Sequence, residues 1–297
     1  MNIVKIWGGL GNQMFQYAFY LMLKTYSNVA TKIDLSWYNQ NNCHNGFELD
    51  TVFGINTFNI ATENESFRVG YKNEVYRTSN FIRRWQFRKY GRKKFFCKDK
   101  ASEAITYYPE VLSLKDNYIQ GYWQSEHYFR DISNFIKETF NFSDLDKNNC
   151  AIAKKISESN SVSVHVRLGD YLKPENAIFT NLSEGNYYKN AIEYIKERVE
   201  SPKFFVFSND IEWCRNNLGL EDACFVYWNK GKDSFRDMQL MSLCKHNIIA
   251  NSSFSWWGAW LNDNPDKIVL VPTKWFNFTD GYIGDIYLED WIKIDII

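Results

Sequence analysis

The stretch V-S-V-H-V-R-L-G-D-Y, residues 162–171, decides how the rest of the chain is read. Valines at alternate positions, Val162, Val164 and Val166, give the two-residue period of a strand, and the small serines between them suit a sheet covered on both faces. Gly169 marks where the backbone must bend, so the polar side chains arrive at the strand's carboxyl end. His165, Arg167 and Asp170 then sit along the edge where open parallel sheets bind ligands, with a guanidinium whose planar fork matches phosphate. Two readings follow from this stretch alone: a grip on a phosphate, or a structural ion pair of Arg167 and Asp170 under the turn.

Outward toward the carboxyl end, strand and helix patterns alternate. Helices are expected over 186–200, 212–218 and 234–244, and strands over 204–207, 225–227, 247–250 and 268–271. Such alternation builds a doubly wound parallel sheet. Parallel strands deliver their exits to one edge: His165, Arg167 and Asp170, then Ser208, Asn209 and Asp210, then Asn251, Ser252 and Ser253, then Pro272 with Trp275 and Phe276. An arginine, an aspartate and paired serines converging there can hold a phosphate, read a base or ribose, and donate hydroxyls to the remaining phosphate oxygens.

Toward the amino end, residues 144–161 are polar and Asn-rich, which sets a domain boundary near residue 150 and divides 1–150 from 151–297. Asp144 and Asp146 spell D-x-D, a spacing known from metal and nucleotide-sugar sites, but they stand just before a helix expected over 151–157 and read as its caps. No metal site is therefore expected. The chain opens with a strand over 2–7, the loop G-G-L-G-N-Q over 8–13 and an apolar helix over 14–25. Strand, glycine turn and buried helix bring backbone N–H groups to a helix N-terminus, so Gly9 and Gly11 are candidates for close approach by an anion or a carbohydrate. A dinucleotide fingerprint fails here, although Asp34 lies near the distance of a ribose-binding acid: Met14 stands where the third glycine is needed. A strand over 118–122 leads into W-Q-S-E, residues 123–126, ahead of a helix expected over 128–140, which turns Gln124 and Glu126 toward a cleft.

Composition narrows the function. Thirty-five basic residues balance thirty-five acidic ones, so the chain has no global field for nucleic acid, and any anionic partner must be small and locally gripped. Six scattered cysteines with no two-residue spacing read as reduced thiols rather than a zinc or redox motif. The start carries a strand instead of a charged leader, and no apolar run reaches membrane-spanning length, so a cytoplasmic protein is expected. Residues 83–98 carry eight cations and no acid, interleaved with Trp85, Phe87, Tyr90, Phe95 and Phe96. That run suits docking on an anionic membrane surface or on a phosphate-bearing acceptor, and equally a solvated basic helix over its own core.

Five stretches now stand in order: G-G-L-G-N-Q-M-F-Q-Y-A-F, G-Y-W-Q-S-E-H-Y-F, H-V-R-L-G-D-Y, F-S-N-D and N-S-S-F-S-W-W-G-A-W-L. Together, from Ile3 to Phe276, they resemble the bacterial alpha-1,2-fucosyltransferases of glycosyltransferase family eleven. The resemblance implies a GT-B-like α/β fold in which two Rossmann-type, doubly wound domains face a cleft, an acceptor-side domain at 1–150 and a GDP-fucose domain at 151–297. It implies inverting transfer of L-fucose from GDP-fucose to a galactose hydroxyl, with no required metal, on a galactose-terminated glycan such as a lipid-linked surface-polysaccharide unit. By the same resemblance Arg167 neutralises the β-phosphate, His165 and Asp210 contact the guanosine, Ser252 or Ser253 binds phosphate, and Asn12 lies beside the reacting centre. Asp170 and Glu126 are the candidate bases. One departure is plain: many members carry two adjacent arginines, and here the second is Leu168, which in a strand faces away from Arg167 into packing. Trp256 and Trp257 either stack a sugar or pack the last helix.

Overall fold

Ile3 and Val4, β-branched and fully buried, begin the chain as strand β1, Asn2–Lys5. In this computed structural model, which describes residues 1–41, 44–69, 85, 95–169, 174–277 and 284–297, β1 joins β2 (Thr31–Asp34), β3 (Phe95–Lys98) and β4 (Tyr118–Gly121). The four strands lie parallel in the order β2-β1-β4-β3. The helix Leu10–Tyr26 follows β1 and is buried on nearly every face, with Met14, Phe15 and Phe19 at zero exposure. It begins four residues before the expected start at Met14, because Gly8 at φ +81° takes the whole turn and extended Gly9 serves as N-cap. Gly11 and Asn12 therefore ride on the first helical turn. The helix expected over 128–140 is interrupted: Phe129 at φ −143° leaves the helical region, so Glu126–Tyr128 and Arg130–Ile132 are 3₁₀ turns ahead of the α-helix Ser133–Thr139. Tyr128 and Phe129 are both fully buried there.

The second sheet holds β5 (Asn160–Val166), β6 (Pro202–Ser208), β7 (Cys224–Val226), β8 (His246–Ile248), β9 (Val269–Pro272) and β10 (Ile292–Ile294). All are parallel, in the order β10-β9-β8-β5-β6-β7. This is the doubly wound, Rossmann-type order, reversing between β5 and β8. The period read from β5 is the one observed. Val162, Val164, Val166 and Leu168 join one apolar cluster with Tyr188, Ile192, Val206 and Leu270, while Ser163 on the other face accepts from Asn247 Nδ2 at 2.7 Å.

The chain divides into two compact units, Met1–Asn141 with Gly284–Ile286, and Phe142–Ile283 with Tyr287–Ile297. The boundary placed near residue 150 is corrected to 141/142. Phe142 stacks on Phe235 at 6.3 Å, and the Ser143 carbonyl accepts from Arg236 Nη1 and Gln239 Nε2 at 3.0 and 2.9 Å, so the polar stretch already belongs to the second unit. Asp146 caps the helix Lys147–Ser157, accepting from the Asn148 and Asn149 N–H groups at 2.9 and 3.0 Å, so the capping reading of the D-x-D holds for Asp146 with a helix that starts earlier than expected. In the first unit, Asp285 donates its N–H to Ile105 O at 2.7 Å and accepts from Tyr107 N–H at 2.7 Å.

Trp256 and Trp257 are wholly buried, Trp256 lying 6.3 Å from Trp260 and 5.4 Å from Trp291, so they pack the core and stack no sugar. Of the basic run at 83–98, only Trp85 and residues 95–98 are among the described residues, and the membrane expectation lies outside them. Lys98 is engaged locally, over the Tyr108 ring and 3.4 Å from Glu103 Oε1. No helix among the described residues is long and apolar enough to cross a membrane.

Candidate functional site

In the second unit the sheet reverses between β5 and β8, and the crevice outside the carboxyl ends at such a reversal is where these sheets take ligands. Arg167 stands at the β5 exit, half-buried, with Leu168 at 2% exposure on the opposite side. A side chain from the β6 exit grips this turn. Asn209 Oδ1 accepts from the Leu168 N–H at 2.9 Å, and its Nδ2 donates to the Leu168 carbonyl at 2.8 Å. Gly169 sits at φ +59°, and a Cβ there would fall 2.7 Å from Asn209 Nδ2, so glycine is required twice over. The sequence marked Asn209 only as one polar exit residue. An amide that can donate and accept, facing a glycine turn, was the available signal.

His165, two residues before Arg167 on the same face, is 5% exposed, with its ring 5.8 Å from Phe254. Its Nδ1 is buried without a hydrogen-bond partner. Burial, with the Arg167 guanidinium as the second cause, pulls its pKa down to about 3, so the imidazole is neutral at ordinary pH and can donate from one nitrogen and accept at the other. At the β8 exit Ser252 is buried and caps the helix Ser253–Trp260, its Oγ accepting from Phe254 N–H at 3.4 Å; Ser253 opens that helix half-buried. Asn251 Nδ2 ties this exit to the carbonyls of Thr180 and Trp275, both at 2.9 Å. Asp210, at the β6 exit, caps the helix Ile211–Asn217 by accepting from Trp213 N–H at 3.0 Å. Asp170 lies outside the described residues.

In the first unit the strand order breaks between β1 and β4, and two stretches meet there. The glycine loop is held by two amides, Gln13 from the loop itself and Gln16 from the stretch read as an apolar helix. Gln16 Oε1 accepts from Trp7 N–H at 2.8 Å, and Gln13 Nε2 donates to the Gly8 and Gly46 carbonyls at 3.0 and 2.8 Å while its Oε1 accepts from Glu48 N–H at 2.9 Å. Tyr38 donates to Gly8 O at 3.1 Å. Two fully buried glutamines in an otherwise apolar helix were the legible signal.

The space beside Gly9 is taken by His44, whose Nδ1 would lie 3.2 Å from a Cβ at that position. The N-terminus of the helix Leu10–Tyr26 is also taken. Glu48, 5% exposed, accepts from Asn45 Nδ2 at 2.9 Å and from the Leu10 N–H; burial raises its pKa and these bonds oppose the rise. A phosphate brought there would meet a carboxylate, so this helix end suits hydroxyls better than anions. Asn12, half-buried, accepts at Oδ1 from Gln124 Nε2 at 2.8 Å. Glu126 accepts from Arg130 Nε at 3.3 Å.

The second unit is thus a Rossmann-type sheet with a guanidinium, hydroxyls and a helix N-terminus at its reversal, a scaffold for a phosphate-bearing ligand. The chain belongs to glycosyl transferase family 11, whose model matches residues 1–295. It is 36% identical over 298 residues to the alpha-1,2-colitosyltransferase of Escherichia coli, across 99% of this chain and 98% of that protein. Identity to the O-antigen biosynthesis glycosyltransferase WbnK of Escherichia coli is 32% over 303 residues, across 97% and 98% of the two chains. With galactoside alpha-(1,2)-fucosyltransferase 1 of Sus scrofa it is 34% over 145 residues, covering 46% of this chain and 39% of that one. Two units with parallel sheets are what the resemblance implied, and the protein is a glycosyltransferase.

Proposed function

We propose that the protein transfers L-fucose from GDP-fucose to a galactose hydroxyl, forming an alpha-1,2 linkage with inversion. The observation that carries this reading is Arg167 at the sheet reversal of a family 11 chain. As the acceptor oxygen bonds to the anomeric carbon, the bond from that carbon to the β-phosphate oxygen breaks and its electron pair leaves with GDP. Arg167, the Ser252 and Ser253 hydroxyls and the N–H groups opening the helix Ser253–Trp260 neutralise the growing charge. Neutral His165 and Asp210 contact the guanosine. Asn12 lies beside the reacting sugar, and the glycine loop, already holding Glu48, receives hydroxyls of the sugar or acceptor. The acceptor's proton passes to a carboxylate, with Glu126 and Asp170 as the candidates. Asp146 is committed to its helix cap, so we assign no metal to the D-x-D.

The acceptor in this reading is a galactose-terminated surface glycan, lipid-linked and met at the cytoplasmic face. WbnK, named for O-antigen biosynthesis, supports that choice. A second donor is favoured by the similarity to an alpha-1,2-colitosyltransferase, since colitose is L-fucose without its 3-hydroxyl. A site that hydrogen-bonds that hydroxyl rejects the deoxy sugar by roughly 10⁴-fold, whereas a site that leaves it unbonded discriminates by only about 10²-fold. The deciding experiment offers GDP-fucose, GDP-colitose and a UDP-sugar control with galactose-terminated acceptors, and reads linkage and anomeric configuration by NMR. An alpha-1,2-fucosyl product is expected. Preference for GDP-colitose would replace the donor, and consumption of neither GDP-sugar would overturn the reading.

A further inference from the structure

Asn12 and Gln124 come from distant parts of the first unit and meet through one hydrogen bond, Gln124 Nε2 to Asn12 Oδ1 at 2.8 Å. The fold goes to some lengths to make that meeting. Gln124 is 7% exposed, and its own N–H donates to the Ala104 carbonyl at 3.1 Å. The residue before it, Trp123, takes φ +56°, a conformation that a bulky side chain adopts only when its surroundings impose it. Those surroundings are stacking on Phe19 at 4.6 Å and an edge contact with Tyr128 at 5.4 Å. Gly121 leaves the room, since a Cβ there would lie 2.4 Å from the indole. The strained turn therefore aims Gln124 at the first turn of the helix Leu10–Tyr26.

A carboxamide has one oxygen that accepts and one nitrogen that donates twice. With Oδ1 engaged by Gln124, the donor end of Asn12 is what remains for a ligand. We propose that Gln124 is a positioning residue of the glycosyl transfer: it locks the Asn12 amide so that Nδ2 donates to an oxygen of the reacting sugar or acceptor. The inference rests on the reading that puts Asn12 beside the reacting centre.

Gln124→Glu tests it. At neutral pH a carboxylate cannot donate to Oδ1 and instead accepts from Nδ2, turning the amide over and presenting its oxygen to the substrate. Once protonated, the same carboxyl regains a donor. Turnover should fall roughly 10- to 100-fold, in the range seen when a partner that orients a reacting group is removed. Both KM values should stay within about threefold, because the orientation matters mainly in the transition state. Relative to wild type, the deficit should shrink as pH is lowered toward 5. Gln124→Met, which keeps the volume and lacks the donor, should show the loss without the pH-dependent recovery. In an Asn12→Ala background Gln124→Glu should add nothing further, as expected for two residues acting as one unit.

Retention of more than a third of wild-type turnover by Gln124→Glu, with Asn12→Ala crippled, would refute the inference. A pH-independent loss that adds in full to that of Asn12→Ala would also refute it and leave a packing role. If Asn12→Ala itself kept wild-type turnover, the placement of Asn12 would fall and the inference with it. GDP affinity and melting temperature measured on each variant keep these outcomes apart from failure of the donor assignment or of folding.

Discussion

The Asn209 clamp allows a prediction worked directly from its two hydrogen bonds. Asn209→Ala removes the partners of the Leu168 N–H and carbonyl at once, bonds of 2.9 and 2.8 Å to a residue whose side chain is 2% exposed. Each polar group left unpaired costs about 1–3 kcal/mol, and because Asn209 lies at the surface, water can reach the gap and hold the sum near the lower end, about 2–3 kcal/mol. The same turn presents Arg167, so its loosening should reach the chemistry: a misdirected guanidinium that loses about 1.4 kcal/mol of transition-state stabilisation lowers turnover tenfold. Two units need not melt as one, so the assay is thermal unfolding with and without GDP, in which the ligand-shifted transition identifies the donor-binding unit. Steady-state kinetics and GDP calorimetry accompany it. Asn209→Asp should be no better than alanine, since it sets a carboxylate oxygen against the Leu168 carbonyl. Gly169→Ala perturbs the turn independently through its φ of +59° and should reproduce the kinetic loss. If Asn209→Ala melted with wild type, bound GDP within about twofold and kept over half of its turnover, a loss below about 0.5 kcal/mol, the clamp would not be what holds Arg167.

Adjacent residues should separate function from stability. Arg167→Ala should lower turnover by two to three decades, about 3–4 kcal/mol, while Leu168→Ala should destabilise the second unit by about 2–5 kcal/mol and leave the folded fraction active, both read by kinetics paired with melting curves. The Asp237 carboxyl is raised by burial from 3.8 to about 7, with a hydrogen bond from Asn229 opposing the rise. The folded state thus keeps a proton that the unfolded chain releases near pH 4, and stability is present at acid pH and lost as pH climbs through 7. Asp237→Asn should flatten that slope between pH 4 and 8 and gain up to about 4 kcal/mol at its alkaline end; parallel melting profiles for the two proteins would refute the assignment. Transfer should survive EDTA, and activity abolished by chelator and restored by manganese would return a metal to the site.

What the sequence made legible was local and periodic. The alternation in 162–168 assigned Arg167 and Leu168 to opposite faces, and the strand exits fell along one edge as parallel connection requires. Asp146 announced its helix by position alone. Features made by distant partners were not legible. Nothing near Gln124 signals Asn12, nothing near Leu10 signals that Glu48 closes its helix end, and β10 is three residues long, too short to show a period. The misplaced boundary has the same origin: a polar, Asn-rich stretch looks like a linker until Phe235, Arg236 and Gln239 are seen to bind Phe142 and Ser143.

The return of Gly284–Ile286 makes the first unit depend on a segment that follows nearly all of the second unit in sequence. Gly284 lies so close to the Ile105 carbonyl that any Cβ would fall 2.1 Å from its oxygen, and the Tyr107 N–H donates to the Asp285 carboxylate. The amino-terminal unit is therefore not complete until these three residues have joined it. Residues 287–297, which follow them, carry β10, the edge strand of the other sheet. Cutting the chain after residue 283 therefore leaves neither unit whole.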